Sequence, residues 1–146
     1  MGTVQLAQIS LTWIDDGTTT GMFAYEGDID TQVDPPAITI TEDIGVIVVT
    51  LSPESTEGAT LYSEQPVLWV DPESQPRDIA LATTKGGKLV IADVDIDTNV
   101  YSFSFQVEYK GVVYTSPDPS IVNTGTGGYP TNQLGGQVFS ADQQAA

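Results

Sequence analysis

The chain has 146 residues, with four Lys/Arg against twenty Asp/Glu, no histidine and no cysteine, for a formal net charge of −16. That length suits one domain with a real core, and 40% hydrophobic residues are enough for a globular fold. The absent residue types exclude disulfides, thiolate metal sites and imidazole bases, and the charge repels phosphate backbones and anionic lipid, so neither nucleic-acid binding nor membrane insertion is expected.

Nearly every segment alternates with a period of two, which predicts strands and an all-β fold. In residues 5–13, Ala7, Ile9, Leu11 and Trp13 share one face, with Gln8, Ser10 and Thr12 on the other. The turn "DDGTTTG" (15–21) and the return strand "MFAY" complete a hairpin. "EGDIDTQVDPP" then reads as a linker, because Pro35-Pro36 cannot sit inside a paired strand.

From Ala37 the strands come at sandwich spacing: "AITIT", "GVIVVTL", "PVLWV", "DIALA", "KLVIADV" after the "KGGK" turn, "VYSFSFQVEY" and "VVYTS". "GVIVVTL" is apolar on both faces, so something must cover its outer side; the N-terminal hairpin is the nearest candidate and a neighbouring subunit the alternative. In "TSPDPS" (115–120), Pro117 and Pro119 remove ladder donors, so the last strand must be an edge, bent or bulged, or a point where the chain leaves the sandwich. Residues 124–146 turn to Gly, Gln, Thr and Ala. The expected organisation is a hairpin extension at 1–33, a β-sandwich at 34–123 and a C-terminal arm at 124–146.

"LVIADVDIDTNVYSF" (89–103) resembles the E strand, corner and F strand of an immunoglobulin-like domain. Leu89, Ile91 and Val94 match the apolar spacing of that E strand, and Tyr101 falls at the tyrosine corner. The resemblance implies an antiparallel sandwich with Tyr101 buried and its hydroxyl bonded to backbone. It also implies Trp69 of "VLWV" packing across the core, and Val48 and Phe103 standing in place of the family's disulfide. It covers roughly residues 37–123 and concerns the fold alone, since this sandwich serves many functions.

Asp93, Asp95 and Asp97 lie on one side of an extended segment, and flexible carboxylates are calcium's preferred ligands. The helical calcium-loop pattern fails, because Thr98 and Ser104 stand where Gly and Glu belong. Trp13, Trp69, Tyr62, Tyr114 and Tyr129 offer aromatic surface of the kind that stacks on glycans, although Trp13 and Trp69 fall on core-facing positions. Without His or Cys, catalysis would need a carboxylate pair or a Ser-Lys arrangement; no nucleophile-elbow, phosphate-cradle or dinucleotide fingerprint occurs, and no enzyme is expected.

In the arm, Val138 and Phe139 are the adjacent large apolar pair and Asp142 is the sole side chain charged at neutral pH, so the pair is expected to bury against another segment. The reading is a non-enzymatic structural or surface-interaction module that binds protein, including copies of itself, as a subunit of a filament, virion or cell surface. The alternative is a calcium- or carbohydrate-binding sandwich module. "MGT" lacks a basic leader region, so no signal peptide is expected, and an extracellular, cell-surface or virion setting is favoured.

Overall fold

The computed structural model describes residues 3–94, 98–117 and 119–124, and these contain strands and no helix. In chain order the strands are β1 (Val4–Ile14), β2 (Met22–Gly27), β3 (Ala37–Ile40), β4 (Ile44–Leu51), β5 (Thr60–Leu61), β6 (Val67–Asp71), β7 (Ile79–Lys85), β8 (Lys88–Asp93), β9 (Val100–Tyr109), β10 (Val112–Thr115) and β11 (Ser120–Asn123). Each long alternating segment of the sequence is a strand. The fold is all-β, as expected.

One sheet runs β2-β1-β4-β8-β7. The second is built around β9. Ser102 pairs with both Asp71 of β6 and Ser120 of β11, and Val107 with both Leu61 of β5 and Tyr114 of β10. One strand cannot take two partners on one side, so β5 and β6 line one edge of β9 while β10 and β11 line the other. β3 continues the sheet beyond β11.

Both sheets are mixed, where the resemblance implied antiparallel ones. β1 runs parallel to β4, from Val4↔Ile44 to Leu11↔Leu51, and β3 runs parallel to β11. The cause is the connection between β2 and β3, which carries the chain from the first sheet to the far edge of the second. Gln5 ties these edges together. Its amide donates to the Thr39 carbonyl at 2.9 Å and accepts from the Thr41 amide at 2.8 Å, as a strand backbone would.

The facing sides of the two sheets form one core. Ala7, Ile9, Leu11 and Trp13 of β1 are buried with Ile47 and Val49 of β4, Leu89 and Ile91 of β8, and Phe103, Phe105 and Val107 of β9. The hairpin is therefore part of the sandwich, sharing its core. Trp13 spans the gap between sheets, its ring 5.3 Å from Tyr109 and 4.7 Å from Tyr114.

The proline-rich turn does not carry the chain away. Ser116 leaves β10 with its amide bonded to the Phe105 carbonyl at 2.9 Å, while its hydroxyl accepts from the Phe105 amide at 2.8 Å. The Pro119 carbonyl then accepts from Phe103, and β11 rejoins the same neighbour. A final strand broken in the middle by Pro117 still serves β9 along its length.

Trp13 also sets the hairpin turn. Its indole N–H donates to the Thr20 carbonyl at 3.0 Å, and Gly21 lies against the ring with φ +72°. A Cβ on Gly21 would stand 2.3 Å from Trp13 Nε1 and 2.9 Å from the Ile14 carbonyl oxygen. Gly21→Ala combines that clash with an unfavourable φ and should cost about 2 kcal/mol, read as a lowered urea midpoint with tryptophan fluorescence as the probe.

Candidate functional site

Two features stand apart from ordinary sandwich architecture. The first is the outer face of the β2-β1-β4-β8-β7 sheet. Inward residues of β4 are Gly45, Ile47 and Val49, so Ile44, Val46 and Val48 point away from the core. The register places Val4 beside Ile44, then Leu6, Val46, Ala92 and Leu81 in one row, and Gln8, Val48, Val90 and Thr83 in the next. Exposure is 63% at Val4, 56% at Leu6, 44% at Leu81 and 37% at Ile44. No carboxylate lies within these rows, although the chain's net charge is −16. The hairpin does not cover this face, because β1 joins β4 edge to edge in the same sheet.

Val48 consequently lies half-buried on the outer side while Phe103 is fully buried, so the two do not face each other in place of a disulfide. Both parities of "GVIVVTL" are apolar, and only packing decides which one points inward.

The second feature is a buried polar cluster at one end of the sandwich. Asp78, just before β7, and Asp93, ending β8, are both fully buried, and Asn123, ending β11, is 1% exposed. The Asn123 side-chain amide bridges the two acids, with Nδ2 2.9 Å from Asp93 Oδ1 and 3.3 Å from Asp78 Oδ2. Its carbonyl oxygen is buried and accepts no hydrogen bond. Backbone bonds fix the frame: Val94 N–H donates to the Asp78 carbonyl at 2.8 Å, and Asn123 N–H to the Asn99 carbonyl at 2.8 Å.

Tyr101 belongs to this cluster. It is buried, as expected, but where a backbone partner was expected its hydroxyl meets side chains, donating to the Asp78 carboxylate and accepting from the Asn99 amide. Burial pushes the phenol well above its ordinary value of 10.0, and the Asp78 carboxylate adds to the shift. Arg77 Nε stands 3.9 Å from Asp78 Oδ1 on a side chain that is 72% exposed, so water weakens its compensation of the buried charge.

Of the acids expected to hold calcium, Asp93 turns into the protein interior, because its position continues the inward parity of Leu89 and Ile91. Asp95 and Asp97 lie outside the described residues. Among the described residues, no group of three or more His, Cys, Asp or Glu gathers around one point. Val138 and Phe139 also lie outside the described residues. Trp13 is fully buried and Trp69 half-buried, its ring 5.8 Å from Phe103, so neither presents an open stacking platform. Sequence reasoning missed Asp78 and Asn123, each of which reads as turn or strand-end polarity until the fold joins them.

The sequence model of the DP-EP family matches residues 5–125, and the chain belongs to that family. The match runs from β1 to just beyond β11, so the hairpin and the sandwich are one family unit. No curated protein matches the chain in sequence.

The Tyr101 hydroxyl gives a test of the cluster. Tyr101→Phe should lose about 1 kcal/mol of stability through the missing hydrogen bond. The raised phenol also fixes the sign of an alkaline effect. Below pH 10 the phenol is protonated in both folded and unfolded chains, and its contribution is fully present. Above pH 10 the unfolded phenol ionises while the folded one holds its proton, so stability falls as pH rises. Denaturant titrations from pH 9 upward should show a shallower decline in Tyr101→Phe than in the parent protein.

Proposed function

We propose that this DP-EP family chain is a non-enzymatic structural module on an immunoglobulin-like sandwich, and that it assembles with copies of itself. The observation that carries the reading is the apolar outer face of Val4, Leu6, Ile44, Val46, Leu81, Val90 and Ala92. An exposed, contiguous apolar patch on a soluble surface marks an interaction site. A second copy is the occupant favoured by charge: two chains of −16 repel over most approaches, and apolar rows without carboxylates let them meet at least cost.

The strand orders β4-β8-β7 and β6-β9-β10/β11 support the immunoglobulin-like part, since they parallel B-E-D opposite C-F-G in that architecture. Buried Tyr101 near the start of β9 supports it too. The non-enzymatic part rests on the absence of His and Cys and on the Asp78/Asp93 pair being closed to substrate by burial.

Four strands about 4.8 Å apart, over some five residues at ~3.3 Å each, give the patch roughly 300 Å². A standard interface buries about 800 Å² per partner. A further contribution is therefore needed, and the near-neutral stretch 125–146, with Val138 and Phe139, is the part of the chain suited to supply it. Such an assembly fits a filament, virion or cell-surface subunit.

Light scattering coupled to size exclusion, over a concentration series at fixed ionic strength, tests this. The parent protein should associate, Leu6→Glu/Leu81→Glu should shift it toward monomer, and Phe139→Asp should weaken association in part. Both substituted leucines are exposed, so the fold should survive. A parent chain that stays monomeric up to its solubility limit, or a double variant that associates as well as the parent, would refute the proposal.

A further inference from the structure

We infer that copies of this chain join edge to edge, β7 of one against β2 of the next, so that the five-stranded sheet continues from copy to copy. The inference rests on the reading that the chain assembles with itself, and it names the surface along which assembly extends.

β2 and β7 are the two ends of their sheet, and no strand among the described residues lies beyond either. They have six and seven residues, and both are exposed along most of their length. A long, uncovered edge is a template for pairing with another chain. The second sheet offers less. The Gln5 amide occupies the backbone of β3, and β5, β6 and β10 have two, five and four residues.

Charge selects what each edge accepts. Arg77, Lys85 and Lys88, three of the chain's four cations, lie on or beside the β7–β8 hairpin, and residues 79–92 hold no acid. β2 has Asp15 and Asp16 before it, Glu26 within it and Asp28 after it, and the sequence holds no cation ahead of Arg77. Like edges repel, whether β7 against β7 or β2 against β2, while β7 against β2 attracts. In a chain of net charge −16, the β7 edge is where a second copy meets opposite charge.

Direction and register agree with this choice. β1 and β4 run one way, β2 and β8 the other, and β7 runs with β1. A second copy placed beyond β7 in the same orientation therefore presents its β2 antiparallel to β7. Along the sheet, Glu26 stands beside Ser10, and Ser10 beside Thr50. One residue past the Val49–Leu89 pair, the same row continues through Lys88 to Lys85. Without stagger between copies, Lys85 of one meets Glu26 of the next. A shift of two residues leaves them diagonal neighbours, still in reach.

The backbone has the same phase. Lys85 and Lys88 close the Gly86-Gly87 turn, so Ala82 and Thr84 are the residues whose peptide groups face away from β8. On β2, Asp28 N–H donates to the Gln8 carbonyl at 2.9 Å, which turns Gly27 and Phe23 away from β1. The register that sets Lys85 opposite Glu26 also sets Thr84 opposite Gly27. A joint between unlike edges is heterologous, so each copy keeps one edge open and the array grows as a fibre unless rotation closes it into a ring. Its ladder bonds add to an association that the apolar rows alone leave short of a standard interface.

Light scattering coupled to size exclusion on the full chain tests the joint by exchanging charge. Glu26 and Lys85 are both exposed, so Glu26→Lys and Lys85→Glu should keep the parent's melting curve. Each variant alone should associate about fivefold more weakly, because its own two edges now carry like charge. An equimolar mixture of the two should recover the association, since each presents the charge that the other needs. Thr84→Pro removes an outward N–H. At a low molar ratio to the parent it should shorten the assemblies, because its β2 adds to a growing end while its β7 accepts nothing. The charge exchange decides alone if Thr84→Pro fails to fold. A mixture no better than either variant, or a folded Thr84→Pro protein that associates as the parent does, would overturn the inference. A parent that stays monomeric fails the reading of self-association and the joint with it, whereas an associating parent indifferent to the charge exchange fails the joint only.

Discussion

The second sheet hangs on one strand. β5, β6, β10 and β11 all take their ladder bonds from β9, which satisfies two partners along each edge. Because both edges are paired and one face carries Phe103, Phe105 and Val107 into the core, β9 is buried more completely than any edge strand can be. The broken path of the final strand follows from this. β9 offers ten residues of edge, and a chain interrupted by prolines covers them in two pieces, β10 and β11, anchored between by Ser116. Phe103 and Phe105 meet edge to face at 5.0 Å, which adds specific ring geometry to the burial.

The first sheet solves a different problem. β4 is apolar on both sides, and the hairpin supplies a neighbour in the plane rather than a cover above it. The sheet gains ladder bonds and four more core side chains from β1, while its outer face keeps its apolar rows. In a chain with this much negative charge, those rows hold no carboxylate, and the acid on that face, Glu26, stands across from Ser10 on the outermost strand β2. The buried acids form the complementary exception: most carboxylates face water, whereas Asp78 and Asp93 are drawn inside where strand ends from both sheets converge.

The alternating segments made the strands legible, since a period of two fixes which side chains share a face wherever the other face is polar. Ala7, Ile9, Leu11 and Trp13 illustrate this, all buried on one side of β1. The rule fails where both parities are apolar. "GVIVVTL" carries no phase of its own, which is why Val48 resembled a core position and lies outside it. Asp93 failed differently: the alternation of Leu89 and Ile91 already pointed it inward, but an aspartate at a strand end reads as a solvated corner unless something inside receives it.

Length, charge and alternation determined by themselves an all-β domain with a single core, without thiol or imidazole chemistry, because these depend on composition and on neighbours two residues apart. Only the tertiary structure decided that β1 runs parallel to β4, that the last strand breaks and rejoins, and that Asp78, Asp93 and Asn123 meet. The physical reason is distance along the chain. Strand pairing across tens of residues is chosen by the combined packing of both sheets, and a polar site made from three strand ends has no local pattern to announce it.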